Sequence, residues 1–465
     1  MSRSSIASSM SRPASSTRAS EVVRLPASTT HAHDRSLIPI GMSTILPDAA
    51  QRVRRLEETL LTSLGRWGYQ EIIPSTFEYL DVLSAGLEPE VLEQCYQFAD
   101  RTTGRILLLR PDVTAQIARI VAMGMVDSCL PLRLSYRTTV FRYEPEHAGR
   151  EREVFQVGAE LIGVDDVAMD GEIIALMIEC LTQLGLTAFT ISLGHVGFFK
   201  ALLARTGMSP EGRKRAEQAA ARKDLPHLED ILAQERVPQK AARGILEAPD
   251  LYGREDVLRR GRVLAGHDRR LHATLDRLTQ VYRLLSEAGL KDHLLLDLGE
   301  FRGFDYYDGV VFDVFADGVG SELGGGGRYN NLIGRFGRDL PSTGFAFDVG
   351  RLFQAMERVG EVGEGTSRAA DVLVAAPVRR CGQLFQVARL LRKAGFRVLQ
   401  GSLRGTDSKA IQSVVDEGRR LATASVVILG TPALAAGDAL LVTGSSMSRR
   451  KTVKIQALPA TLLEL

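Results

Sequence analysis

Gln156 and Glu160 stand four residues apart in a run, Glu153–Ile162, whose alternation turns Gln156, Gly158 and Glu160 to one face and Phe155, Val157 and Ala159 to the other. The preceding strand, Leu132–Glu144, is joined to it through the polar link Pro145-Glu-His-Ala-Gly-Arg-Glu-Arg152, so the two form an antiparallel hairpin. On that partner Arg142 shares a face with Val140 and Glu144. An arginine, an amide and a carboxylate above one sheet make a recognition surface for a small zwitterion. Taken alone, the same residues also describe a solvated hairpin with weak surface ion pairs, the commoner case. Further on, Phe301-Arg-Gly-Phe-Asp-Tyr-Tyr307 brings Arg302 and two tyrosines beside a glycine, and an arginine fork suits a carboxylate or a phosphate. Gly324–Gly327, followed by Arg328-Tyr329, serves either close approach of backbone to a ligand or tight strand packing. No P-loop and no dinucleotide fingerprint is present.

These residues need a framework, and the apolar periodicity supplies one. Val53, Leu56, Leu60, Leu61, Leu64 and Trp67 form a helical stripe that begins near Pro47 and stops at Gly68. A short strand follows, ending at Pro74, then a strand at Arg105–Arg110 and a helix at Thr114–Met123. Gly171–Leu184 reads as a helix and Thr187–Leu193 as a strand with His195 just beyond its end. Pro210–Thr274 carries no strand pattern and reads as a helical insertion. Strands return at His293–Leu298, Gly309–Phe315 and Val319–Leu323, the last two joined by the turn Ala316-Asp317-Gly318, and a helix is expected after Gly327. A Gly/Glu/Thr/Ser linker at 358–370 closes this part, and a fresh α/β alternation opens at Asp371. That last segment, 371–465, reads as a small three-layer domain with a parallel or mixed sheet.

Composition removes several classes of function. The 465 residues hold 58 Lys+Arg against 56 Asp+Glu, so affinity for nucleic acid or membrane is not a property of the whole chain. Basic charge is instead concentrated after residue 370, with 14 Lys+Arg against 6 Asp+Glu, and Ser445-Ser-Met-Ser-Arg-Arg-Lys451 reads as a basic turn within it. No apolar run reaches the length of a membrane span. Cys95, Cys129, Cys180 and Cys381 are scattered, which argues for a reducing cytoplasm and against a disulfide framework or a zinc site, and no metal or cofactor is expected. Residues 1–36 hold eleven serines and five arginines without hydrophobic periodicity and read as a disordered tail.

Arg110-Pro-Asp-Val-Thr114, Phe141-Arg-Tyr-Glu144, Gly149-Arg-Glu-Arg152, Phe155-Gln-Val-Gly-Ala-Glu160, Arg302-Gly-Phe-Asp-Tyr-Tyr307, Gly326-Gly-Arg-Tyr329 and Thr343-Gly-Phe-Ala-Phe-Asp-Val-Gly-Arg351 resemble, in their order, the histidyl-tRNA synthetase family of class II synthetase-like proteins. The resemblance spans about 320 residues, Ser36 to Glu357. It implies an α+β core over 37–357, with a six- or seven-stranded antiparallel sheet, flanking helices and a helical insertion at about 210–274. It also implies an anticodon-binding-like α/β domain over 371–465 and a homodimer formed around the segment ending at Pro74.

Two classes share this family: the tRNA ligase, and a paralogue without aminoacylation that regulates short-form ATP phosphoribosyltransferase in the first step of histidine biosynthesis. Several segments resemble the second class, among them Arg110–Thr114, with Asp112 where ligases usually carry Glu, Gly149–Gly163, Leu193–Leu203 and Phe336–Phe345. The resemblance therefore implies a non-catalytic regulatory subunit, with no catalytic residue of its own, the short-form catalytic subunit as partner and L-histidine as ligand. The ligase, with tRNA as partner, is the alternative. Carried over by position, Asp112, Gln156 and Glu160 would hold the histidine amino group, Thr114 and Tyr307 would stand beside them, Tyr329 would line the side-chain pocket and Arg302 would meet the carboxylate. Arg142, Arg150 and Arg351 fall where ligases hold ATP phosphates, which keeps the ligase reading in play.

Overall fold

A computed structural model describes residues 38–143, 151–300, 306–359, 370–444 and 446–464. The tail at 1–36, Glu144, Arg150, Arg302, most of the 358–370 linker and Ser445 lie outside the described residues.

The core is built on one mixed sheet of nine strands. In chain order they are β1 (Gln70–Glu71), β2 (Leu132–Phe141), β3 (Glu153–Ile162), β4 (Phe189–His195), β5 (Tyr252–Gly253), β6 (Leu294–Asp297), β7 (Val310–Ala316), β8 (Gly324–Arg328) and β9 (Ser342–Asp348). Their spatial order is β1-β2-β3-β9-β8-β7-β4-β6-β5. Six of the eight pairings are antiparallel. The β1–β2 and β4–β6 pairs are parallel, and the expected antiparallel sheet of six or seven strands is a mixed sheet of nine, with two-residue strands at its edges: β1 in the segment expected as a short strand ending at Pro74, and β5 within the insertion that carried no strand pattern. The expected hairpin is the β2–β3 pair, with Leu134 opposite Glu160 and Thr138 opposite Gln156.

The stripe from Val53 to Leu64 forms the helix Pro47–Arg66, which starts on a proline and buries Val53, Leu56, Leu60 and Leu64 against the sheet and the helix Val167–Gln183. On β3, Val157 and Ala159 point into that cluster. The insertion is helical throughout, Pro210–Ala221, Leu225–Gln234, Gln239–Glu247, Asp256–Ala265 and Arg269–Glu287, apart from the short β5, and its last helix continues past Thr274.

Two expectations for the glycine region are corrected. Val319–Leu323 is a connection and not a strand; the strand is the glycine run itself, β8, and a short 3-10 turn, Ile333–Phe336, replaces the expected helix. Backbone crowding is the reason. A Cβ on Gly327 would come within 2.6 Å of the Val310 carbonyl oxygen, and one on Gly326 would collide with the Gly344 carbonyl. Only glycine lets β8 lie between β7 and β9. The turn before it holds Gly318 at φ +78°, as the sequence requires.

From Ala370 onward the chain forms a second, five-stranded mixed sheet, ordered Val398–Ser402, Val372–Ala376, Ser425–Leu429, Asp438–Thr443, Arg449–Lys454. The first three strands run parallel and the last two pair antiparallel. Helix Cys381–Lys393 covers one face and Ser408–Arg420 the other, each over its own apolar cluster. The basic run expected as a turn becomes, from Arg449, an exposed edge strand.

Candidate functional site

Asp112 ends the strand-to-helix link after Ile106–Leu109 and caps the helix Val113–Gly124, its Oδ1 accepting from the Ala115 amide at 2.7 Å. Arg110 fixes that link: its guanidinium donates to the carbonyls of Thr139 (2.6 Å), Pro74 (2.9 Å) and Ser75 (3.0 Å). Arg110 is therefore structural, a buried arginine satisfied by main-chain oxygens. The cap projects Thr114 toward β3, where its hydroxyl donates to Glu160 Oε1 at 2.8 Å. Tyr329, the first residue after β8, donates its hydroxyl to Glu160 Oε2.

Glu160 is 1% exposed, and burial drives its pKa from 4.5 up to about 8 against the opposing pull of the Tyr329 and Thr114 hydroxyls. The nearby Asp112 carboxylate adds to the rise. Burial raises Asp112 as well, with Arg142 working against it. Asp112 faces an open space, whereas Glu160, expected to meet the ligand itself, is buried behind the Thr114 and Tyr329 side chains that line that space. Among the described residues the cation within 4 Å of Asp112 is the Arg142 guanidinium, 3.9 Å from its Oδ2, which also donates its Nε to the Pro111 carbonyl at 2.7 Å. A ligand ammonium would complement this acidic corner.

The space is a cavity of about 530 Å³, large enough for an amino acid and more. Asp112, Thr114, Arg142, Gln156, Tyr307, Tyr329 and Arg351 line it, as the sequence expected. Gln156 is half-buried, and its amide has no hydrogen-bond partner among the described residues, which leaves it available to a ligand. Tyr306, Tyr307 and Tyr329 pack ring to ring at 4.7, 5.9 and 6.4 Å between centroids. The Tyr306 hydroxyl reaches Asp112 Oδ2 at 3.4 Å. Room for Glu160 comes from Gly344 on the neighbouring β9, where a Cβ would strike the carboxylate.

Tyr136 and most of the cavity's acids were not expected from the sequence, and Tyr306, noted there only as a neighbour of Arg302, also lines the cavity. Tyr136 sits opposite Gly158, whose missing side chain accommodates the tyrosine ring, and the same alternation that places Arg142 would have found it. Asp313 follows in the same way, because Phe312 and Val314 enter the core and leave Asp313 on the cavity face of β7. Glu151, Glu300, Glu322 and Asp348 complete the acidic lining. Arg351 is already partly engaged: its Nη1 donates to Glu322 Oε1 at 2.7 Å, and its Nε lies 3.1 Å from Asp348 Oδ2. Among the described residues no group of His, Cys, Asp and Glu has the arrangement of a metal site, and no helix is long and apolar enough to cross a membrane.

Comparison with known proteins matches residues 41–352 to the family described as histidyl-tRNA synthetase. The chain is 35% identical over 425 residues to a protein of Syntrophotalea carbinolica named ATP phosphoribosyltransferase regulatory subunit, covering 91% of this chain and 97% of that one. A protein of the same name from Moorella thermoacetica is 40% identical over 377 residues, covering 81% of this chain and 95% of the other. Among solved structures, one described as an ATP phosphoribosyltransferase regulatory subunit/histidyl-tRNA synthetase from Bacillus halodurans aligns with a TM-score of 0.70 at 29% identity, over 81% of this chain and 96% of the other. Histidyl-tRNA synthetase from Nostoc sp. PCC 7120 has the same fold, with a TM-score of 0.71 at 19% identity, over 92% of this chain and 98% of the other.

Proposed function

The chain belongs to the histidyl-tRNA synthetase family, as a regulatory subunit of ATP phosphoribosyltransferase in histidine biosynthesis, and from that premise we propose that its cavity senses L-histidine rather than charging tRNA. One observation carries this reading: Asp112, Thr114, Tyr329 and the unengaged amide of Gln156 line one cavity, and the buried Glu160 stands directly behind its wall, held by the Thr114 and Tyr329 hydroxyls. A carboxyl, an amide and a ring of tyrosines suit the ammonium and side chain of an amino acid. Asp112 completes the amino end, Arg142 lies at its edge, and Arg302 supplies the cation for the ligand carboxylate. Filling of the cavity by histidine is the signal that the short-form catalytic subunit receives as feedback.

The remaining parts follow from the same reading. The core over 37–357 carries the sensor, and 371–465 is an anticodon-binding-like domain used for partner contact or retained basic surface. The chain acts in the cytoplasm as a homodimer. Self-association near Pro74 is supported by the exposed apolar side chains of Ile73, Phe77 and Phe98, two of them stacked edge to face at 5.1 Å.

Histidine-dependent exchange of pyrophosphate into ATP is the test. The purified chain is expected to show none, and robust exchange would establish the ligase instead. The ligase reading draws on the retained Arg142 and Arg351, and the contacts that already occupy Arg351 weigh against it.

A further inference from the structure

We infer that Glu322 is a specificity-determining residue: its carboxylate fills the anion seat of Arg351 and keeps nucleotide phosphates out of the outer half of the cavity. The inference rests on the sensor reading above and deepens it. By lining, the cavity has two halves. Asp112, Gln156 and the tyrosines form the amino-acid end, while Ser321, Glu322, Asp348, Arg351 and Gln354 form the other.

At that second end the guanidinium is taken. Arg351 Nη1 donates to both the Glu322 side chain (2.7 Å) and the Glu322 main-chain oxygen (2.9 Å). Its Nε faces Asp348 Oδ2 at 3.1 Å, and its own amide donates to Asp348 Oδ1 at 3.0 Å. With Nη1 spent on Glu322 and Nε on Asp348, only Nη2 is left, and neither two-nitrogen edge of the fork is open for bidentate capture of a phosphate. The surroundings reinforce this. Asp112, Glu151, Glu300, Asp313, Glu322 and Asp348 outnumber Arg142 and Arg351 among the described residues lining the cavity. A polyphosphate that displaced Glu322 would still lie among like charges at short range.

The backbone delivers Glu322 to this position. Leu323, the next residue, is fully buried; its amide donates to the Val314 carbonyl at 2.8 Å, and its own carbonyl accepts from the Asp348 amide at 2.9 Å. The connection between β7 and β8 is thereby pinned at the residue adjoining Glu322, beside the start of the helix that carries Arg351. Glu322 itself is about half exposed at 47%. An ion pair with so exposed a partner adds little to stability, so its effect falls on what the cavity admits.

The test is calorimetric titration of MgATP, and separately of tripolyphosphate, into the full chain and into Glu322→Ala, Glu322→Gln and the Glu322→Ala/Arg351→Met double variant. The parent chain is expected to bind neither probe measurably. Both single variants should bind each at least tenfold more tightly than the parent's detection limit, and the double variant should lose that gain. Thermal midpoints within a degree or two of the parent show that the fold is kept, and Glu322→Gln preserves side-chain shape should Glu322→Ala lower stability. Binding of MgATP by the parent as tight as by the single variants would overturn the inference, as would no binding by either folded single variant. If the parent still activates the catalytic subunit while Glu322→Ala admits no phosphate, this inference alone falls. If the parent carries out histidine-dependent pyrophosphate exchange, the sensor reading falls with it.

Discussion

Replacing Glu160 with Gln keeps the shape that Thr114 and Tyr329 hold and removes the charge, and its consequence depends on pH in a way the burial of Glu160 dictates. With a pKa of about 8, the empty site is mostly neutral at pH 7, about one-tenth ionised. Histidine binding through its ammonium requires the carboxylate, so ionising Glu160 at pH 7 costs about 1.4 kcal/mol before the contact forms. The charge-assisted hydrogen bond returns about 1.5–3 kcal/mol. The parent should therefore bind only slightly more tightly than Glu160→Gln at pH 7. As the ionised fraction grows from about one-tenth to about three-quarters at pH 8.5, the affinity of the parent should rise about eightfold while that of the variant stays flat. Binding at pH 7 should also release close to one proton from Glu160, seen as a dependence of the calorimetric heat on the ionisation enthalpy of the buffer. Equal affinities at both pH values, with no proton release in the parent, would refute the reasoning and remove Glu160 from the site.

The same burial makes a stability prediction: a carboxyl whose folded pKa lies above its unfolded value of 4.5 favours the fold below that value, and this is lost as pH rises through about 8. Ligand-free Glu160→Gln should accordingly be more stable than the parent at pH 8.5, by up to about 5 kcal/mol, and so unfold at a higher temperature; a lower midpoint there would contradict it. Tyr329→Phe removes one of the two hydroxyls holding Glu160, so histidine affinity should fall by about 0.5–1.5 kcal/mol; unchanged titration curves would count against it. Gly344→Ala would drive a methyl into the Glu160 carboxylate and within 2.6 Å of the Ala159 carbonyl, so a loss of about 1–3 kcal/mol is expected in denaturant melts, with histidine binding abolished. Asp170→Asn leaves the buried Arg328 guanidinium, 2.6 Å from Asp170 in the parent, with only the more distant and half-exposed Asp165 at 3.5 Å, and should cost about 2–4 kcal/mol; a change below about 1 kcal/mol would show that the pair is dispensable.

Much of the candidate site was legible because one rule, alternation along a strand, governs it. Gln156 lines the cavity and Glu160 sits on the same face behind Thr114 and Tyr329, while Val157 and Ala159 enter the core, and Arg142 arrives at the end of the partner strand. The helix from Pro47 and the helical insertion were readable from 3.6-residue periodicity and from the want of any strand pattern. What escaped has no local signature. Four glycines carry no β preference, and β8 is a strand because the backbones of β7 and β9 leave no room for anything else. Arg351 looked like a free anion ligand because Glu322, which occupies it, lies 29 residues earlier on a connection that read as a strand. The two-residue edge strand Tyr252–Gly253 is set by its partner and not by its own composition, whereas Gln70–Glu71 lies in the short strand expected before Pro74.

The proposed control of a phosphoribosyltransferase by histidine occupancy is tested by mixing the purified chain with a short-form catalytic subunit and following ATP- and phosphoribosyl-pyrophosphate-dependent product formation. Activity should need both chains, fall as histidine is added, and in the Glu160→Gln variant at pH 8.5 require roughly ten- to 150-fold more histidine for the same inhibition. A catalytic subunit that stays inactive in the presence of the folded chain, or a complex whose response to histidine is the same in parent and variant, would contradict it.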